Sequence, residues 1–309
     1  MNMKFAFTVI AASLALASAG QANATIAGQD TAGNIGGPEM FLAVWDSVAQ
    51  KSYIRDLGVH FNDFLPAASL GITSGLASKQ DKTSLGTSIS STAAPVAGTV
   101  AFGATPSIVA GSVLTSGYSL SFAADPLLAS FLGTAGSLST SLQWMVGAYD
   151  NTGTGLVNGQ RALTTSNGAV AISNSVLSNF SSGSAPYITA NNGLMPSGDA
   201  ANGSATAVKA DGDTYFDAAG SPMSSWGGNS TFPVTAAVGT SQKFWYLGVS
   251  STNGPDAAGV TPFTNASWKL DTAGNLAYTV AAVPEADTWA MLLAGLGMMG
   301  FIARRRLQG

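Results

Sequence analysis

Cysteine is absent from this chain, and histidine occurs once, at His60. Without thiols there are no disulfide staples, thiolate zinc sites, iron–sulfur centres or cysteine nucleophiles, and no lipidated cysteine of the lipoprotein kind. A single imidazole excludes metal sites built from several histidines. A serine triad would have to recruit His60, and no Gly-x-Ser-x-Gly elbow stands at a strand-to-helix turn. Glutamate is nearly as scarce, Glu39 being the only one before Glu285, so a glycosidase pair would have mainly aspartates to draw on. Charge is thin throughout, with 12 basic and 16 acidic side chains in 309 residues. Between Thr25 and Ala282 fourteen are acidic and eight basic. The basic ones stand singly, at Lys51, Arg55, Lys79, Lys82, Arg161, Lys209, Lys243 and Lys269, without the dense cationic footprint that nucleic acid requires. No repeat of fixed period occurs, which excludes a solenoid.

What is present is a succession of short apolar or aromatic runs separated by Gly, Ser, Asn and Asp, the pattern of antiparallel sheets. Strands are expected at Phe41 to Trp45, Ser52 to Val59, Ser112 to Phe122, Leu142 to Tyr149, Lys243 to Ser250 and Trp268 to Val280. Asp271 to Asn275 breaks the last into a hairpin, with Trp268 and Leu270 before the turn and Leu276 and Tyr278 after it on period-2 spacing. Phe41 to Val59 reads as a second hairpin turning around Ser47 to Gln50. Asp125-Pro126 ahead of Leu127, Leu128, Phe131 and Leu132 supplies an N-cap, an N1 proline and an apolar stripe, so a short helix is expected there. The stretches Ala67 to Val100, Asn151 to Gly168 and Ser197 to Gly212 are dominated by small and polar residues and read as surface excursions, the first also as a set of small-residue strands. The fold class expected is all-β: an antiparallel β-sandwich or jelly-roll-like region with few short helices.

Chemistry-bearing candidates are few. His60 follows Leu57 to Val59 and reads as a partly exposed residue at a strand end. Asp150-Asn151-Thr152-Gly153 departs from an aspartic-protease loop by the intervening Asn151 and has no second copy, so it reads as a turn after the strand ending at Tyr149. Asp211, Asp213 and Asp217 make a calcium candidate, because hard oxygen ligands at alternate positions suit that ion. Gly212 at the second position and the absence of a closing glutamate depart from the EF-hand pattern, so a solvated turn is the stronger reading. Asn179, Asn202, Asn229 and Asn265 fit the Asn-x-Ser/Thr acceptor pattern, and Trp226 in a glycine-rich stretch has the character of a sugar-stacking or core aromatic. No cofactor is implied.

The two ends carry the strongest signals. Lys4, the apolar stretch Phe5 to Ala19 and Ala22-Asn23-Ala24 form the three parts of a secretory signal, with cleavage after Ala24 and Thr25 as the new first residue. At the other end Val283-Pro284-Glu285 precedes an uncharged run from Thr288 to Ala303 and then Arg304-Arg305-Arg306. That run of roughly 16 residues extends about 24 Å as a helix, short of a ~30 Å hydrocarbon core by an amount that snorkelling arginines and local thinning make up. A basic cluster beside a span stays in the cytoplasm, which places the preceding chain outside. Pro284 fixes its own φ and biases Val283 toward extended backbone, a form that a processing enzyme can take into its cleft.

Pro284-Glu285, the short span with Gly295, Gly297 and Gly300, and the arginine cluster, together with the leading export signal, resemble the PEP-CTERM class of bacterial exosortase substrates. Ala286 stands where the usual motif has a second proline. The resemblance covers about the last tenth of the chain. It implies a Gram-negative exported protein that is cut near Pro284-Glu285 by a membrane-embedded transpeptidase, with exosortase and signal peptidase as partners during export. It also implies transient anchoring by the C-terminal helix, a final location at the cell surface or outside it, and an association with exopolysaccharide, biofilm or floc. The expected organisation is a signal peptide at 1–24, a β-rich exported region at 25–280, and a sorting tail at 281–309 with motif 283–285, transmembrane segment 288–303 and arginines 304–306. The expected role is that of a non-enzymatic surface or matrix protein. A carbohydrate-binding β-sandwich is the alternative, and an extracellular hydrolase using Asp150 or Asp211 ranks third.

Overall fold

The computed structural model of the chain describes residues 26–28, 37–65, 97–102, 108, 112–134, 142–150, 160–168, 170–195, 203–216, 234–282 and 286–307. Strands β1 (Glu39–Asp46) and β2 (Lys51–His60) form the expected first hairpin. Its turn is fixed by Asp46, whose Oδ1 accepts from the amides of Val48 and Ala49 at 2.9 and 3.0 Å, with Gln50 in the left-handed region at φ 50°. Every second residue of β1 faces one of two cores: Met40, Leu42 and Val44 enter one, Phe41, Ala43 and Trp45 the other. This strand is therefore buried on both sides, which explains its almost unbroken apolar run.

The remaining strands are β3 (Ala97–Val100), β4 (Ser119–Phe122), β5 (Leu142–Asp150), β6 (Arg161–Ser166), β7 (Ser204–Val208), β8 (Ala236–Ala237), β9 (Ser241–Gly248), β10 (Gly259–Leu270) and β11 (Leu276–Val280). All eleven belong to one sheet in the order β3-β4-β11-β10-β9-β6-β5-β1-β2-β7, with β8 on β5. Among the described strands only β3 and β4 run parallel. The expected sandwich or jelly roll therefore gives way to a single mixed sheet curled into a half-barrel. Its curl is visible in one contact: Arg55 of β2 donates to the Ala123 carbonyl just past β4 at 2.6 Å, although six strands lie between β2 and β4 along the sheet. Beside it Tyr53 donates its hydroxyl to Asp125, which caps helix α1 (Pro126–Thr134) by accepting from Leu128 N at 2.6 Å.

The concave side is filled from one end by the 3-10 turn Phe61–Phe64, whose Phe64 ring sits 5.6, 5.9 and 5.1 Å from Phe244, Trp268 and Tyr278. Trp268 and Tyr278 oppose each other across the β10–β11 hairpin, as their spacing requires. Asp271 holds that turn through Ala273 N and Asn275 N, with Gly274 at φ 87°. The convex side is covered by helix α2 (Asn174–Asn192), which lays Leu177, Phe180, Tyr187 and Ile188 onto Phe41, Met145 and Tyr149.

Several expectations need correction. Strands β6 and β7 run through stretches read as surface excursions: β6, flanked by β5 and β9, is buried with only small or hydroxylated residues such as Ala162, Thr164 and Thr165, and β7 is a short edge strand paired with β2. Helix α2 was not expected, since its apolar residues are diluted by serines and interrupted by Pro186. The expected strand Ser112 to Phe122 begins as a 3-10 turn at Ser112–Leu114, and the strand proper, β4, starts at Ser119. Asp150 is not in a turn: it is the last residue of β5, fully buried and 3.3 Å from Arg161 Nε.

Candidate functional site

The chain is held by ladder bonds to the last residue of β11 and one step beyond. Gly117 N donates to Val280 O at 2.9 Å, Val280 N to Tyr118 O at 3.0 Å, and Ala281 N to Asn265 O at 2.9 Å. Ala281 and Ala282 are exposed, and the chain resumes in helix α3 (Ala286–Leu307). The large apolar side chains Met291, Leu292, Leu293, Leu296, Met298, Met299 and Ile302 of α3 are all solvent-exposed, as are Arg304 and Arg305 near its end. A helix with apolar side chains all round has the surface of an element that is covered by something other than water. Among the described residues no helix is long and apolar enough to cross a membrane. Asp287 and Thr288 occupy the first turn of α3 and Arg304 to Arg306 its last, which leaves the uncharged stretch between them, expected as a span at 288–303, short of a full-length one.

The junction between the fixed strand and this helix coincides with a recognised motif. A family model, the PEP-CTERM protein-sorting motif, matches residues 282–306. The chain carries a PEP-CTERM sorting tail. No curated protein and no solved structure matches the chain. The PEP-CTERM motif implies exosortase-dependent sorting of an exported protein. Its first residue, Ala282, directly follows the last residue bonded to the sheet, so the folded region ends where the sorting tail starts. Val283, Pro284 and Glu285 lie outside the described residues, while Arg304, Arg305 and Arg306 form the last turn of α3.

Among the described residues the other sequence candidates do not converge. Ala22, Ala24, Thr25, Asp217, Asn202, Asn229 and Trp226 lie outside the described residues. Asp211 spends one carboxylate oxygen on Val208 N at 2.7 Å, and Asp213 follows it across Gly212 at φ 69° in an exposed 3-10 turn. Among the described residues no three His, Cys, Asp or Glu side chains form a group able to hold a metal. Asn179 is exposed on α2 and Asn265 on β10, the latter at φ 54° where the β9–β10 register shifts.

A titratable cluster that sequence reading did not assemble surrounds His60. Its Nδ1 lies 3.1 Å from the Gly37 carbonyl and, since a carbonyl only accepts, carries the proton; Nε2 lies 3.9 Å from Glu39 Oε1. Asp63 accepts from His60 N at 2.9 Å, and Asp56 from Gly58 N at 2.7 Å. Burial raises the pKa of Glu39, against the Ala27 amide and His60, which lower it. Burial, then the Glu39 charge, pushes Asp56 up to about 7. Burial likewise raises Asp63. Each carboxylate is tied to a nearby backbone amide, an arrangement that shapes the β1–β2 end more than it prepares a nucleophile. The signal for it was the spacing Asp56, His60, Asp63 opposite Glu39, which becomes a cluster only once the β1–β2 register pairs Glu39 with His60.

A second unforeseen feature is the mooring of Ile26–Gly28. Ile26 N donates to Asn192 Oδ1 and Asn192 Nδ2 donates to Ile26 O, both at 2.9 Å. Ala27 N donates to Glu39 Oε2 and Glu39 N to Ala27 O, both at 2.8 Å. The Ile26 side chain is buried in the convex core.

Proposed function

We propose that this chain is an exported, non-enzymatic surface or matrix protein, delivered with its tail at the inner membrane and then cut there by an exosortase. The observation that carries the reading is the PEP-CTERM motif beginning one residue past the last sheet bond, on a helix whose apolar side chains are uncovered. In this reading α3 is a temporary handle. Its exposed Met and Leu side chains face lipid, and Arg304 to Arg306 remain at the cytoplasmic side. The signal peptide is removed after Ala24, which leaves Ile26 one residue from the new terminus and moored to Asn192. The folded region needs nothing from α3 and survives its removal.

A structural rather than catalytic role is supported by how the acidic candidates are used. Asp150 is the counter-charge of Arg161, Asp211 caps a turn, and His60 is held by Gly37 and Glu39. The final location is the cell surface or the extracellular matrix, in association with exopolysaccharide. Fractionation of cells with and without the exosortase gene tests this: the uncut form accumulates in the membrane fraction of the deletion strain and the shortened form outside wild-type cells. Equal distribution in both strains contradicts it.

A further inference from the structure

A shallow cleft of about 310 Å³ opens where strand β7, the outermost of the sheet, runs past helix α1. That volume lies at the small end of the range in which proteins hold ligands, roughly 300–1,000 Å³. Leu127, Ser130 and Phe131 line it from α1, Thr206 from β7, Lys51 from the start of β2 and Asp211 from the turn after β7. Outside α3, five large apolar side chains are exposed among the described residues, and two of them, Leu127 and Val208, border this cleft. Its polar groups are equally uncommitted. Among the described residues Lys51 makes no ion pair, and the hydroxyls of Ser130 and Thr206 have no hydrogen-bond partner. Asp211 gives one oxygen to Val208 N at 2.7 Å and keeps the other open.

These residues narrow the ligand by class. An ammonium and a carboxylate border the same small space, so their charges balance, and a ligand with net charge would meet one of its own sign. Lys51 only donates and ionised Asp211 only accepts, whereas Ser130 and Thr206 do both; the set matches a molecule with several hydroxyls, each a donor and an acceptor. Leu127 and Phe131 supply the apolar surface on which the C–H face of a sugar ring packs. A further peptide strand is a poorer occupant. Lys209 N bonds inward to Gln50 O at 3.0 Å, so on the alternation of an antiparallel strand the Val208 amide points to the open edge, and Asp211 has already taken it. We propose that this cleft binds one neutral hexopyranose unit of a glycan, with Lys51, Asp211, Thr206 and Ser130 on its hydroxyls and Leu127 and Phe131 against its ring. Only the choice of a glycan as the carrier rests on the matrix reading above.

The test uses the protein purified from the cells that process it and saturation-transfer difference NMR. The probes are methyl α-glucopyranoside, methyl β-galactopyranoside and methyl α-mannopyranoside, with N-acetyl-leucine amide as a peptide-like comparison. Saturable transfer to at least one hexoside is expected, with its apparent Kd raised roughly fivefold or more in Thr206→Val and in Asp211→Asn, each of which loses one contact. Ser130→Trp fills the cleft with an indole and is expected to abolish the signal. All three positions are exposed, so the fold tolerates these changes; any variant whose urea midpoint falls is set aside and the others decide. Transfer to no hexoside overturns the proposal, as does transfer that survives Ser130→Trp. Transfer to N-acetyl-leucine amide alone, lost in Ser130→Trp, assigns the cleft to a peptide side chain and also overturns it. A processed protein that stays in the matrix yet binds no hexoside refutes the cleft and spares the matrix reading, whereas a protein absent from the matrix refutes that reading whatever the hexosides do.

Discussion

The ring of Tyr149 lies over Gly147, two residues earlier on the same face of β5. A Cβ built at Gly147 would stand 2.7 Å from Tyr149 Cζ and 2.9 Å from Met145 Cε, well inside van der Waals contact. Tyr149 cannot swing away, because its other side packs edge-on to Phe180 at 4.3 Å and to Phe41 at 5.6 Å. Gly147→Ala is therefore expected to destabilise the protein by about 1–3 kcal/mol through overpacking. A urea midpoint indistinguishable from wild type would show that the convex core yields more readily than this packing implies.

The buried pair Asp150–Arg161 makes the next prediction. Arg161 also lies 4.6 Å over the Phe61 ring and donates to Asn62 Oδ1, so it is committed to its place. Asp150→Ala leaves that cation without its counter-charge and is expected to lower stability by roughly 3–5 kcal/mol. If Asp150 were a catalytic acid on a pliable loop, the same substitution would leave the urea midpoint nearly unchanged.

Asp56 gives the pH dependence. Its pKa in the folded protein, about 7, lies above its ordinary 3.8, so the folded state holds the proton more tightly than the unfolded one. The stability it contributes is full at low pH and is lost as pH rises from about 4 to about 7, by up to roughly 4 kcal/mol. Asp56→Asn keeps an oxygen for Gly58 N and removes the titration, so it is expected to stabilise the protein at pH 8 and flatten the slope between pH 5 and pH 8. Urea unfolding of both proteins at the two pH values measures this directly; parallel slopes would assign the pH dependence elsewhere.

The mooring of Ile26–Gly28 is testable by exchange. Asn192→Ala removes both bonds to Ile26, and amide protection of residues 26–28 is expected to fall toward that of an unstructured segment while the β5–β6 ladder keeps its own. Ile26→Ala opens a cavity in the convex core and is expected to cost about 2–5 kcal/mol. Unchanged protection in Asn192→Ala would mean that Glu39 alone holds the segment.

What was legible in the sequence follows from burial. Both hairpins could be read because Trp268, Leu270, Leu276 and Tyr278, and the β1 run from Met40 to Trp45, are large side chains facing cores. The capped helix at Asp125-Pro126 could be read because capping is local. Strands β6 and β7 could not, since the small residues of β6 between β5 and β9, and those of the short edge strand β7, look like loop residues. Nor could the curl of the sheet, which rests on Tyr53 and Arg55 reaching Asp125 and Ala123, contacts about seventy positions apart in the chain. The sorting tail was the most readable element for the opposite reason: its signal is a linear order of proline, acid, apolar run and arginines that needs no tertiary contact.

The central claim is that the tail is removed, and intact-mass measurement of the protein from cells with an active exosortase tests it most directly. The account predicts a chain ending near Pro284-Glu285, lacking α3 and its arginines, while the strand ending at Val280 is retained. A mass that still includes Arg304, Arg305 and Arg306 in those cells would contradict it.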